Sequence, residues 1–397
     1  FDLFDGERFF VSNASGPNGQ LALTQIPFDV YAISKDEELK KAIIEACSKM
    51  DIKGFDKLME AYGDKPSVLK IYREVKQNKD AIPTHSRIAI LPELGGKKRT
   101  VAEGDWVSQS ILKQFENIFV DIVKSYNLGG VYNQEESFLR IQEHIHRSNQ
   151  ATCADQSNCT DLMPASLQAH VVEKVMKAFT GIDGLGEVWL KIAVNRDFRY
   201  AYKSNGELKF GKVRYGIGQP MGLKGSFIIM HLTHWLMNEA CRIMTIDDFP
   251  NADVHFETTG DDVITNSLEM HERYVSMSED LNMRINQGKT LVSNPSTSQV
   301  LVYEYLKIFG YGDTTFRPIS PRMMISFLNS PENHLKSIIQ NFSLSELPFD
   351  SLQFFKYCEA FRAMDKTPES SLESKAKKIP IDYLVENNLV TLIAGSG

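Results

Sequence analysis

The chain has 397 residues, 42% hydrophobic and 24% charged, an ordinary globular composition with enough apolar side chains for a large core and two or three subdomains. A formal net charge of −7 excludes a globally basic nucleic-acid binder, so any basic surface must be local. Five scattered cysteines lack zinc-ligand spacing and no signal peptide or membrane span is evident; with Phe1 rather than Met at the start, the expectation is a fragment or processed product of an intracellular protein with reduced thiols.

In chain order, Ser15-Gly-Pro-Asn-Gly19 is a strong loop signal. Residues 35–80 are expected to form helices, with Ser34 capping the first and Leu39, Ile43 and Ala46 on one face. Arg87 to Pro92 is strand-like, Gly95-Gly96 turns, and Lys97-Lys-Arg99 to Ala102 resumes, which makes a basic hairpin. Residues 105–126 carry Val107, Ile111, Phe115 and Ile118 at helical spacing. A short run from Ala151 leads to Asp155 and Asp161. A helix then starts at Pro164, with Leu167, Val171, Val175 and Phe179 repeating every four residues.

Residues 188–213 are expected to be strands around a Ser204-Asn-Gly206 turn, and Tyr215–Gly222 a glycine-rich loop. Leu223–Ile243 forms a helix apolar on most sides, hence buried. Val254, Phe256 and Thr258 alternate with polar residues, and Val263, Ile264 and Thr265 are all β-branched. Gly260, Asp261 and Asp262 between them form the tip of a hairpin. Helix 268–283 and strands near 290–293 and 300–309 follow. Lys366–Lys378 is a charged link.

Three of these stretches carry chemistry. Two adjacent carboxylates repel, and a divalent cation relieves that penalty, although acidic turns are also common on surfaces. If the run ending at Asp155 lies beside the hairpin, Asp155, Asp261 and Asp262 make a hard oxygen site for two Mg2+ ions, with Mn2+ as a substitute. Lys97, Lys98 and Arg99 either grip phosphate or simply face water. Gly218 and Gly222 let a backbone approach a ribose or strand closely, in neither a Rossmann nor a Walker pattern.

Ser226 is a candidate ribose contact or a structural serine, and Lys289 a candidate proton donor or a surface lysine. His231 and His234 suit packing better than metal binding. Cys153 and Cys159 are expected in the core. Trp106 and Trp189 either stack bases or fill the core.

Taken in order, these blocks resemble the motifs of viral RNA-dependent RNA polymerases. Gly96-Lys-Lys-Arg99 looks like motif F, Asp155–Asp161 like motif A, Gly218-Gln-Pro-Met-Gly222 through Ser226 like motif B, and Gly260-Asp-Asp262 like motif C. Lys289 falls where motif D carries its lysine, and Glu304–Lys307 to Pro318–Pro321 looks like motif E and the start of a thumb. The Gly-Gln-Pro-Met-Gly form, Thr160 before Asp161, and Gly16-Pro-Asn-Gly19 point to mitovirus- and narnavirus-like polymerases. Leu223-Lys-Gly225 and Leu162-Met163 depart from the usual pattern.

The resemblance implies a helix-rich α+β right hand. Fingers would span about 1–150 with a return at 181–216, the palm 151–180 and 217–309, and the thumb 310–397. It implies that Asp155 and Asp261 bind the metals with Asp262 in support, that Lys97 and Arg99 hold the triphosphate, and that Asp161 with Ser226 checks the ribose 2′-hydroxyl. The implied partners are nucleoside triphosphates and an RNA template and product, held with little sequence preference. Protein partners are left open, and so is the compartment, host cytoplasm or mitochondrion. The rivals are a reverse transcriptase and a non-catalytic RNA-binding protein with a relict palm.

Overall fold

The computed structural model describes residues 15–19, 21–92, 98–294, 296 and 300–316. The fold is helix-rich α+β with open sheets. Four helices come first: α1 (Ile26–Ser34), α2 (Glu37–Lys49), α3 (Phe55–Tyr62) and α4 (Pro66–Val75). Asp36 rather than Ser34 caps α2, accepting from the Leu39 amide at 3.0 Å. The Ser34 hydroxyl instead donates back to the Tyr31 carbonyl.

Strands β1 (Ser86–Pro92) and β2 (Lys98–Gly104) form the expected basic hairpin, and α5 (Trp106–Ser125) follows behind an Asp105 cap. Helix α6 (Gln134–Ser148) adds to the expected elements: Asn133 caps it, accepting from the Glu136 amide, and Phe138, Ile141 and Ile145 share its buried face. Then come β3 (Ala151–Ser157), the one-turn α7 (Cys159–Leu162), α8 (Ala165–Thr180) and α9 (Leu185–Ala193). Helix α9 replaces the first part of the strand expected from residue 188. Leu185, Val188, Trp189 and Ile192 share a helical face that is buried against α2, α5 and α8. A short apolar run does not by itself distinguish a buried strand from a buried helix.

Strands β4 (Phe198–Ser204) and β5 (Glu207–Val213) pair as an antiparallel hairpin. Helix α10 (Ser226–Asp248) begins three residues later than expected, because Gly225 at φ 76° stands before it in a left-handed conformation. Next are β6 (Phe256–Thr259), β7 (Asp262–Thr265), α11 (Leu268–Asp280), β8 (Arg284–Ile285), β9 (Leu291–Ser293), β10 (Val302–Tyr305), β11 (Ile308–Tyr311) and β12 (Thr314–Phe316).

Among the described residues, three sheets result. One has the order β2-β1-β4-β5, and another is the β10-β11-β12 meander. The third is antiparallel throughout, in the order β6-β7-β3-β8, with β9 also on β3. Its central strand, β3, is buried on both faces along most of its length. Cys153 packs with Ile264, with Phe138, Ile141 and Ile145 of α6, and with Tyr303 and Tyr305 of β10. Ala154, on the other face, packs with Val263, Cys241 and Tyr274.

The largest core is helical. Trp106 and Trp189 lie in it almost completely buried, so they fill the core instead of stacking bases. Each Leu, Ile or Met enclosed this way stabilises the fold by about 1.5–3 kcal/mol relative to exposure. The loop at Gly16-Pro-Asn-Gly19 is built in: the Asn18 amide donates to Asp29 at 2.6 Å and to the Thr84 carbonyl at 2.8 Å.

Candidate active site

The site begins with register. Asp155, near the end of β3, is directly opposite Asp262, the first residue of β7. Because Thr259 is the other neighbour of Asp262, the hairpin closes through only two residues, Gly260 and Asp261. Gly260 is at φ 63°, as the first position of a primed two-residue turn demands. Asp261 therefore sits exposed at the tip, whereas Asp155 and Asp262 are half-buried within the sheet.

Side chains alternate along a strand, so Asp155 lies on the same face as Cys153, the face covered by β10. That brings Glu304 close, its amide donating to Cys153 Sγ at 3.3 Å. Burial pushes the Asp262 carboxyl up to about 7, and the charges of Asp261, Asp155 and Glu304 add to the rise, with Lys289 partly opposing it. Glu304 is raised by burial and then by Asp155. The cluster thus carries more negative charge than its surroundings compensate. Lys289 Nζ is 3.4 Å from Asp155 Oδ2, and Asn286 amide nitrogen is 3.5 Å from the same oxygen. The Asn286 backbone N–H also donates to the Asp155 carbonyl at 2.8 Å.

Above the sheet lies a cavity of about 570 Å³. It is walled by Asp155, Asp161 and Asp261, by Lys98 and Arg99 of the basic hairpin, and by Ser226, Asn286 and Lys289. Asp161, in α7, is exposed at the rim, and partial desolvation raises its carboxyl above the ordinary value. Lys97 lies outside the described residues. Arg87 and Lys113, which flank the basic block in sequence, are paired with Glu103 and Glu116 and do not line the cavity.

The loop before α10 is stitched to both walls. The Gly218 amide donates to the Asp161 carbonyl at 3.1 Å and the Gln219 amide to the Thr160 carbonyl at 3.0 Å. A Cβ at Gly218 would lie 2.3 Å from the Thr160 carbonyl oxygen, so only glycine allows this approach. Buried Gln219 donates to Gln168 and to the Ser226 carbonyl, at 2.7 and 2.6 Å. Met221 accepts from the Ala102 amide at 2.7 Å, and Gly222, at φ 106°, lies against Val101 and Ala102. The loop therefore ties the basic hairpin to the Asp155–Asp161 segment.

His231 and His234 hold the hairpin tip, a role the sequence reading assigned only to packing. The Gly260 N–H donates to His231 Nδ1 at 3.2 Å, while His234 Nδ1–H donates to the Gly260 carbonyl at 2.7 Å. These bonds, with His231 Nε2–H on the Leu128 carbonyl and the Tyr274 hydroxyl on His234 Nε2, define two neutral rings. Burial lowers the pKa of His231 and takes that of His234 down to about 4. Asn286 and Glu304 were also missed as site residues. Glu304 opens the block that resembles motif E and Asn286 stands three residues before Lys289, but only sheet packing brings them to the carboxylates.

The chain is a member of the viral RNA-dependent RNA polymerases: a family model matches it over residues 4–380, almost end to end. It belongs to the mitovirus RNA-dependent RNA polymerase family. The RNA-directed RNA polymerase of Cryphonectria parasitica mitovirus 1 (strain American chestnut tree/New Jersey/NB631) is 24% identical over 218 residues, 54% of this chain. The match spans only 25% of that relative's length. Among solved structures, apo telomerase from Candida tropicalis truncated from its C-terminal domain gives a TM-score of 0.45 at 12% identity, over 57% of this chain and 53% of that one. Telomerase from Candida albicans in complex with a fragment of telomeric RNA gives 0.46 at 12% identity, over 78% and 60%.

Proposed function

We propose that this chain carries the catalytic centre of an RNA-dependent RNA polymerase, joining nucleoside triphosphates to an RNA 3′ end under the direction of an RNA template. The observation that carries the proposal is the register that sets Asp155 beside Asp262, with Asp261 at the adjoining tip. In this reading the hand is arranged as the resemblance implies, with fingers at about 1–150 and 181–216, the palm at 151–180 and 217–309, and the thumb from 310. Helix α6, at the end of the first of these stretches, packs on β3, β7 and β10.

The donor set fits Mg2+. It consists of carboxylate oxygens, it is charged beyond its local compensation, and it opens to a cavity where phosphate and water can complete the shell. Asp155 and Asp261 would hold the ions, with Asp262 behind them. When bound, they supply activation of the 3′-hydroxyl and stabilisation of charge on the transferring phosphate. Lys98 and Arg99, which line the same cavity, bind the triphosphate. Asp161 and Ser226 face the same space and accept or donate at the ribose 2′-hydroxyl. Lys289 lies within reach of Asp155 and supplies a proton to the departing pyrophosphate.

Primer extension on an RNA template with Mg2+ tests this reading. Asp155→Ala and Asp261→Asn should abolish incorporation and leave RNA binding largely intact; full activity in both would overturn the site. Preference for deoxynucleotides would favour a reverse transcriptase. RNA binding without incorporation, with either Mg2+ or Mn2+, would favour a non-catalytic palm.

A further inference from the structure

We propose that His144, Asp253 and His255 form a second metal site, suited to a borderline transition cation such as Zn2+ and separate from the carboxylate centre. His144 lies on the last turns of α6, and Asp253 and His255 lie in the irregular segment that leads into β6. One nitrogen of each ring and one carboxylate oxygen lie within 4.8 Å of one another. The rings stack with centroids 3.3 Å apart and planes 17° from parallel, so one ring must turn out of the stack before a nitrogen lone pair from each can meet on a single ion beside Asp253. His255 Nε2 is 2.7 Å from Asp253 Oδ1, and His144 Nδ1 is 3.5 Å from Asp253 Oδ2.

The second observation is an unsatisfied atom. His144 Nδ1 is enclosed and has only the long 3.5 Å contact with Asp253 Oδ2, too poor in geometry for a full hydrogen bond. An enclosed polar nitrogen without a partner is costly, and such groups are rare in folded proteins. A coordinate bond removes that cost. Two imidazoles and one carboxylate are the donor set of Zn2+ and its neighbours, where Mg2+ prefers oxygen alone. Tetrahedral zinc spaces its ligand atoms about 3.3 Å apart, so atoms within 4.8 Å of one another need shifts of up to about 1.5 Å together with the turn of one ring. Asp253 and His255 belong to no helix or regular strand, so that segment can follow.

A cavity of about 150 Å³, bordered by both histidines, leaves room for water in the fourth position. Arg147 approaches Asp253 at 3.7 Å, but it is also paired with Glu143 at 2.7 Å and more than half exposed, so it can yield. The placement has a consequence. His255 and Gly260 are separated by the length of β6, about 17 Å at ~3.4 Å per residue. Ser137 and Arg140 of α6 already hold Glu257 at 2.6 and 2.7 Å. The metal extends this strap to the base of the hairpin without touching the reacting groups.

The test is a calorimetric titration of the metal-stripped full chain with Zn2+ in excess Mg2+, with melting followed in parallel and Co2+ absorption reporting the ligand set. The wild type should bind one Zn2+ lost in His144→Ala and in His255→Ala but kept in Asp155→Asn. Zn2+ should raise the melting temperature of the wild type and leave that of the histidine variants unchanged. His255 is partly exposed, so His255→Gln serves if His144→Ala fails to fold. Absence of Zn2+ binding, or binding that survives the histidine changes or disappears with Asp155→Asn, would overturn the proposal. None of these results depends on nucleotide incorporation.

Discussion

His231 and His234, three residues apart on α10, hold opposite ends of Gly260: one ring accepts its N–H and the other donates to its carbonyl. The tip that presents Asp261 is thereby fixed to the buried first half of α10. His234→Phe keeps the ring volume and leaves the Gly260 carbonyl without this donor, at a cost of about 1–3 kcal/mol, while the Tyr274 hydroxyl keeps Ser278 and Gln156 as partners. The expected result is at least a tenfold fall in kcat for nucleotide incorporation with RNA affinity within about threefold of wild type. Extension kinetics beside an RNA-binding isotherm measures both; an unchanged kcat would mean that the hairpin positions itself.

Asp262 should make the metal-free protein pH-sensitive. Its folded pKa of about 7 lies above the ordinary 3.8, so the folded state holds a proton that the unfolded chain has released. Stability is therefore lost as pH rises from about 4 through 7. Asp262→Asn, which cannot ionise, should be more stable than wild type at pH 8 by on the order of 2 kcal/mol and no more stable at pH 4. Denaturant melts at both pH values check the sign. Mg2+ affinity should also rise from pH 6 to pH 8 in the wild type and stay nearer level in the variant.

The loop before α10 offers a matched pair of glycines. A Cβ at Gly218 meets backbone atoms of Thr160 and Asp161 at 2.3–2.5 Å, while one at Gly216 meets nothing within 4 Å. Gly218→Ala should push the loop off α7, costing about 2–3 kcal/mol and raising the nucleotide KM several-fold. Gly216→Ala should change neither. Equal behaviour of the two in melting and kinetics would show that the contact between loop and α7 is dispensable.

Lys289 is two-thirds exposed and 3.4 Å from Asp155. An ion pair so open contributes no more than about 1 kcal/mol to stability. Lys289→Ala should therefore melt within a degree or two of wild type. Incorporation should nevertheless slow by about tenfold or more, with Lys289→Arg in between, if this group delivers the proton. Single-turnover rates across pH separate the cases: a lysine without that role would leave both rate and profile unchanged.

Much of this was legible in the sequence. The hairpin at Gly260 is written locally, with alternating and β-branched residues around a glycine, and so are the β1–β2 hairpin and the spacing of α5 and α8. Helix α9 was misread because Val188 and Trp189 are apolar in either conformation. Only burial against α2, α5 and α8 decides for the helix. The bounds of α10 depended on Gly225, whose left-handed conformation cannot be told from that of Gly222 by composition.

The sequence by itself determined which carboxylates, cations and glycines the chain carries, and their order, because turn chemistry and strand alternation act over a few residues. Tertiary structure alone decided that Asp155 faces Asp262, that Glu304 and Asn286 join them, and that two histidines hold the tip. Those relationships connect residues 26 to 149 positions apart, through sheet register and helix packing, and no local pattern encodes a register between strands so distant in the chain.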